Sequence, residues 1–189
     1  MKSAKYLGLL LIFSTCLYSI AFSQNEYLTD SKFAVKELSI RFKESIINRD
    51  EKKLVSLLPP NDGLIFRYLG YNETVLSRDD CSSLYSDNKI RFWGVEDGSG
   101  EEIKCSFKDK WLPLIRDIIL SYDEVGYNHF IRVGCSLNRE IENTYFIDFT
   151  SIGKESKYEG LDWHSLRLFF RRINGKWYLV AIDIYNWTI

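Results

Sequence analysis

Residues 159–189, EGLDWHSLRLFFRRINGKWYLVAIDIYNWTI, decide the fold. Asn174-Gly175 is the dipeptide a two-residue type I′ turn favours, because both central residues need positive φ, and it separates two runs rich in aromatic and β-branched residues. A hairpin with that turn has a computable register: Ile173 faces Lys176, Phe170 faces Leu179, Leu168 faces Ala181, Leu166 faces Asp183 and His164 faces Tyr185. Side chains alternate between faces with a period of two. One face then carries His164, Leu166, Leu168 and Phe170 with Leu179, Ala181 and Asp183. The other carries Trp163, Phe169, Tyr178, Val180, Ile182 and Ile184 with Arg167 and Arg171. Both are largely apolar, which suits a hairpin at the centre of a sheet covered on both sides.

Working back from the hairpin, Thr144–Thr150 and Phe130–Leu137 read as two strands joined by a charged turn, with a loop at Tyr122–His129 before them. Ser106-Phe107-Lys108-Asp109 is a capping-box pattern opening a helix to Leu120, whose apolar stripe is Trp111, Ile115, Ile118 and Ile119 and which Pro113 is expected to kink or restart. Strands Lys89–Val95 and Glu102–Ser106 flank Glu96-Asp97-Gly98-Ser99-Gly100-Glu101. That acidic loop lacks the alternating ligands and distal bidentate Glu of a calcium loop, so it reads as a hairpin connection with solvated charges. Ser77-Arg78-Asp79-Asp80 is a second capping box, opening a helix to Tyr85, and Leu64–Tyr68 is a strand. The first helix opens at Asp30 or Ser31 with the stripe Val35, Leu38, Phe42 and Ile46. Asp50 caps a second helix through Leu58, which Pro59-Pro60 ends. No repeat or linker divides residues 24–189, which are read as one domain.

The N-terminus has Lys2 and Lys5, an apolar run from Tyr6 to Phe13 and small residues before Gln24, the pattern of a secretory signal peptide cleaved after Ser23. The alternative is lipidation at Cys16. Removing residues 1–23 lowers Lys plus Arg from 25 to 23 against 26 Asp plus Glu, leaving a charge near −3. Nothing basic enough for nucleic acid remains. Cys81, Cys105 and Cys135 form an odd set; they read as mostly buried apolar-type cysteines, with Cys105–Cys135 the first pair to consider for a disulfide.

The order of elements, ending in Asn174-Gly175-Lys176-Trp177-Tyr178, resembles the NTF2-like (SnoaL-type) superfamily. That resemblance implies an α+β fold in which N-terminal helices pack on a curved, mainly antiparallel sheet, the NTF2-like cone. A closer likeness is to uncharacterised secreted bacterial proteins that share Asp97-Gly98-Ser99-Gly100-Glu101, the run Tyr158 to Leu168, Gly175 to Val180 and Trp187-Thr188-Ile189. Those relatives tend to have a His-Asp pair before the last Trp, where this chain has Ile184-Tyr185.

Two classes of function follow from the residues. In the first, the register puts Asp183 diagonally across from His164 on one face, near enough for carboxylate and imidazole to meet, with Asp162 at the rim. They would serve as an acid and base pair of a small hydrolase or isomerase. The competing account ties Asp183 to an arginine or tyrosine that holds the sheet, and gives Asp148 on the Thr144–Thr150 strand the counter-ion Arg132. The second class, preferred, is a noncatalytic secreted or periplasmic, envelope-associated binding domain. Trp163, Trp187, Arg132 and Asp148 are its candidate contacts, and its partner is a small apolar molecule, a glycan or an envelope protein. No cofactor motif and no metal-ligand spacing appears.

Overall fold

The computed structural model describes residues 30–132, 141–153, 157, 160 and 162–186. The chain divides into two compact units, Met1–Ala34 and Val35–Ile189. Of the first, residues 30–34 are described and are helical; they open α1 (30–48). Then follow α2 (Glu51–Leu57), β1 (Leu64–Tyr68), β2 (Asn72–Leu76), α3 (Arg78–Cys81), β3 (Arg91–Val95), β4 (Glu102–Cys105) and α4 (Phe107–Ser121). The last four elements are β5 (Glu124–Tyr127), β6 (Tyr145–Ser151), β7 (His164–Ile173) and β8 (Lys176–Asn186). Six strands form one sheet in the order β2-β1-β8-β7-β6-β5, and β3 with β4 form a separate hairpin. Only β1 and β8 run parallel among the paired strands described. This is the expected α+β architecture, N-terminal helices on a curved, mainly antiparallel sheet. The C-terminal hairpin supplies its two central strands.

Asn174 and Gly175 make the turn with φ of 48° and 81°. The register starts as the turn dictates, Ile173 with Lys176 and Phe170 with Leu179. It then slips by one: Phe169 pairs with Ala181, Arg167 with Asp183, Leu166 with Ile184 and His164 with Asn186. Val180 is the extra residue of a β-bulge. Val180 and Ala181 both lie with Phe146 and Phe169 in a small apolar cluster, whereas Leu179 and Ile182 on either side belong to the main core with Leu166, Leu168 and Phe170. The expected pairings of Leu166 with Asp183 and His164 with Tyr185 are therefore replaced, and every side chain from Ala181 to Asn186 leaves the sheet on the opposite side from that expected. The physical reason is Asp183. A uniform register buries its carboxylate among leucines, at several kcal/mol if unpaired, whereas the bulged register seats it beside cations.

The rest of the core follows the helical stripes. Val35, Phe42 and Ile46 of α1 are buried, and Ser45 on the same face lies 3.1 Å from the Tyr85 hydroxyl. Asp50 accepts from the Lys53 N–H at 2.9 Å and caps α2. Ser77 and Asp80 make both halves of the capping box, although α3 stops at Cys81 rather than Tyr85. Helix α4 runs unbroken through Pro113 and does not restart there. Its inner face, Trp111, Ile115 and Ile118, packs toward β6 and β7, and Trp111 and Phe107 join Phe66 and Trp93 in an aromatic cluster with ring centroids 5.0–6.1 Å apart.

Two expectations for the middle of the chain change. The segment read as a loop contains β5, and residues 130–132 are not a strand; residues 133–137 of that expected strand lie outside the described residues. Phe130 instead stacks on Phe146 at 4.5 Å. Cys81 and Cys105 are free thiols; Cys135, the expected partner of Cys105, lies outside the described residues. Burial pushes the Cys81 thiol up to about 12.

Candidate functional site

The two faces of the central strands treat polar side chains differently. On the far face, away from α4, successive cross-strand partners form a row: Glu73 on β2, Arg67 on β1, Asp183 on β8, Arg167 on β7, Asp148 on β6 and Gly126 on β5. The Arg67 Nε donates to Asp183 Oδ1 at 2.7 Å and its Nη2 to Oδ2 at 2.5 Å. Arg167 Nε donates to Asp148 Oδ2 at 3.0 Å and its Nη2 to the Arg132 carbonyl at 2.7 Å. The Arg167 guanidinium also lies 4.0 Å from the Tyr185 ring centroid and 4.4 Å from that of Phe130. Asp148 accepts further from the Ile131 N–H, from Thr150 Oγ1 and from Ser165 Oγ. Asp148, Arg167 and Asp183 are completely buried. Burial pushes the Asp183 carboxyl up to about 6, with Arg67 and Arg167 pulling it down, so it is ionised at neutral pH. Alternating charges one strand apart, each hydrogen-bonded, hold four strands in register. Gly126 ends the row because a Cβ there would lie 2.1 Å from the His129 carbonyl oxygen, where the chain leaving β5 doubles back.

On the helix face, polar groups gather where β1 and β8 end and β7 begins. His164 and Asn186 are direct cross-strand partners, so their side chains share a face with Cβ atoms about 4.5–5.5 Å apart. Asn186 hydrogen-bonds to the Tyr68 hydroxyl, which donates to Glu96 Oε2 at 3.3 Å. Lys110 pairs with Glu96 Oε1 and lies 5.2 Å from the Trp111 ring centroid. The Trp111 and Tyr68 rings are 5.1 Å apart. Burial and Glu96 hold the Tyr68 phenol well above its ordinary value, so it stays protonated. Burial lowers His164 from its usual 6.5, with Asp117 and Asp162 partly opposing, so the imidazole is neutral at neutral pH.

Three buried atoms in this cluster, Trp111 Nε1, His164 Nδ1 and Asn186 Oδ1, have no hydrogen-bond partner among the described residues. Each such atom costs about 1–3 kcal/mol. Their chemistry is complementary: an N–H that only donates, an amide oxygen that only accepts, and an imidazole nitrogen that does either according to tautomer. Among the described residues no three His, Cys, Asp or Glu side chains converge as metal ligands.

The bulge thus divides the residues singled out in the sequence. His164 belongs to the helix-face cluster, with Asp162 among the carboxylates acting on it. Asp183 and Asp148 belong to the far-face row, so Asp183 and His164 leave the sheet on opposite sides and do not form the expected pair. The counter-ion of Asp148 is Arg167, not Arg132, whose backbone carbonyl is what Arg167 uses and whose residue is exposed. Ser165 hydrogen-bonds to Asp148 and turns away from His164. Trp163 is buried, and Trp187 lies outside the described residues. Tyr68, Trp111 and Asn186 were not anticipated. Nothing in the linear pattern marks Asn186, whose face depends on the bulge.

No family model matches the sequence, and no curated protein matches it. Solved structures do resemble its fold. An NTF2-like protein with a cystatin-like fold from Novosphingobium aromaticivorans is 11% identical, with 87% of each chain covered and a TM-score of 0.46. A ketosteroid isomerase-like protein from Erwinia carotovora atroseptica is 10% identical, covering 84% of this chain and 98% of its own, at a TM-score of 0.39. An NTF2-like protein of unknown function in nutrient uptake from Rhodospirillum rubrum is 14% identical, covering 82% and 98%, also at 0.39.

Proposed function

We propose that residues 24–189 form an exported binding domain, released after a signal peptide ending at Ser23, that holds a small guest at the helix-face cluster of Tyr68, Trp111, His164 and Asn186. What supports the reading is that Trp111 Nε1, His164 Nδ1 and Asn186 Oδ1 are buried without a hydrogen-bond partner among the described residues, on side chains linked by the His164–Asn186 pairing and through Tyr68. A few fixed polar groups beside aromatic rings suffice to orient a guest in a mostly apolar site. Export is supported by the basic, apolar and small-residue order of residues 2–23, and lipidation at Cys16 would tether the same domain to a membrane. An acid–base reaction through Asp183 and His164 is disfavoured, because those side chains lie on opposite faces.

The test is native mass spectrometry of the full chain expressed with its own leader in a bacterial host. The expected species begins at Gln24 and carries a small-molecule adduct that the His164→Ala, Asn186→Leu double variant lacks. A different first residue overturns the export part. A bare wild-type chain, indistinguishable from the variant in adducts, overturns the binding part.

A further inference from the structure

We infer that the pocket between α1 and α4 is a binding site of its own, for a small monocarboxylate with a compact apolar body; it shares no residue with the helix-face cluster and does not rest on the reading given there. The pocket encloses about 240 Å³. At the volume a water takes in the liquid, that is room for roughly eight waters, or a guest of about eight to ten non-hydrogen atoms. Its lining is set by helical spacing. Leu112, Arg116 and Leu120 follow one another at intervals of four along α4, with Pro113 and Asp117 in the adjacent row, so all five lie on one side of that helix. Ile46 of α1 and Arg49, three residues later, face them across the seam. Ile46 and Leu112 are buried, whereas Leu120 is 64% exposed. Together with the Pro113 ring these side chains offer an apolar wall that runs from the interior to the surface, suited to a short hydrocarbon body.

Charge decides the other end of the guest. Arg67, Arg91 and Arg167 are each tied to a carboxylate, but the Arg49 and Arg116 side chains have no hydrogen bond or ion pair among the described residues. An arginine just past a helix end is favoured by the macrodipole with or without a ligand, so Arg49 by itself signifies nothing. Arg116 lies inside α4, before its last turn, where that argument does not reach. Arg49 moreover has φ of 52°, a left-handed conformation that glycine adopts with less strain at a helix C-terminus. Asp117 is the acidic residue of the lining, and its field also acts on the His164 imidazole. Two guanidiniums against one carboxylate leave the pocket a single positive charge, which a monoanion balances and a dianion overshoots beside Asp117. A carboxylate also matches a guanidinium with two parallel N–H···O bonds. An ammonium would meet both arginines, and a neutral amide would leave their charge unmatched.

Four probes at pH 7.5 separate the requirements: 4-methylpentanoate, 4-methylpentanamide, 4-methylpentylamine and acetate. The readout is the backbone amide spectrum of the 15N-labelled full chain, in which the peaks of residues 46–49 and 114–120 are followed through each titration. 4-Methylpentanoate is expected to shift those peaks with an affinity at least about fivefold above that of the amide or the amine, the factor that one or two exposed ion pairs supply. It should also bind about tenfold more tightly than acetate, which has the charge but not the apolar body. The Arg49→Gln, Arg116→Gln double variant alters two exposed side chains and is expected to keep the spectrum of the rest of the chain while binding acid and amide alike. Equal affinity of the wild type for acid and amide, or a preference for the acid that survives in the double variant, overturns the carboxylate assignment. If the acid in large excess leaves the peaks of residues 46–49 and 114–120 in place, the site itself falls. Either failure leaves the reading of the helix-face cluster untouched.

Discussion

The far face and the helix face of the same three strands, β1, β8 and β7, make a controlled comparison. On the far face Arg67, Asp183 and Arg167, with Asp148 beyond them, are buried and hydrogen-bonded to each other or to backbone. At the helix-face end Tyr68, Asn186 and His164 sit on those strands too, yet two of the three keep a buried atom without a partner among the described residues. Saturated polar groups are what architecture requires; unsaturated ones are what a site leaves for something else. Residue type alone does not separate the two, since each face mixes ionisable and aromatic side chains. Completeness of hydrogen bonding separates the charged row from that cluster, although not one whole face from the other, since Arg171 Nε on the far face also has no hydrogen-bond partner among the described residues.

The harshest way to break the comparison is to insert an alanine after Ala181. With one residue more on β8, Ile182 to Asn186 exchange faces, Asp183 enters the leucine core and Asn186 joins the far face. The expected outcome is loss of the cooperative fold, seen as collapse of the near-ultraviolet circular dichroism. A native-like spectrum with an intact unfolding transition would show that β8 absorbs the added residue and that register does not assign the faces. Next in size is Asp183→Ala, which takes from Arg67 the buried carboxylate it donates to. Removing one partner of a buried ion pair is expected to destabilise by about 3–5 kcal/mol in urea unfolding, with the Trp111 indole signal unmoved in the folded state. A loss under about 1 kcal/mol would make the row ornamental.

Asn186→Leu sharpens the contrast from the other side. Replacing Asn186 relieves the cost of its unsatisfied oxygen but also removes its hydrogen bond to Tyr68, so stability should change by less than about 1.5 kcal/mol while ligand binding at its cluster is abolished. A large loss would place Asn186 with the architecture. The smallest expected effect concerns pH. The folded chain holds His164 below its usual 6.5, so the unfolded state binds more protons between the folded value and 6.5. The contribution of His164 is therefore fully present above 6.5 and lost as pH falls through that interval. His164→Gln should flatten this part of the stability profile; an unchanged slope would show that His164 is not desolvated.

Much of the fold could be read before any coordinates. Asn174-Gly175 announced the turn, and the capping residues Asp50, Ser77 and Ser106 marked helix starts that the structure keeps. What failed has identifiable causes. Pro113 did not interrupt α4, where the strongly apolar inner face of the helix holds both halves against the core. The four-residue strand β5 contains a glycine and begins within the charged pair Asp123-Glu124, and its pairing comes from β6, some twenty residues later. The site was the least legible part, because face assignment beyond Val180 reverses with one unpaired residue that carries no glycine or proline to advertise it.

The sequence by itself determined most of the secondary elements, the tight turn and the central place of the last hairpin, because these follow from local dihedral preferences and from apolar periodicity within a few residues. Only the tertiary structure decided which polar side chains meet. Arg67 reaches Asp183 across 116 positions of chain, and that contact, by making the bulged register the one in which a buried carboxylate has a cation, also put Asn186 on the helix face beside His164.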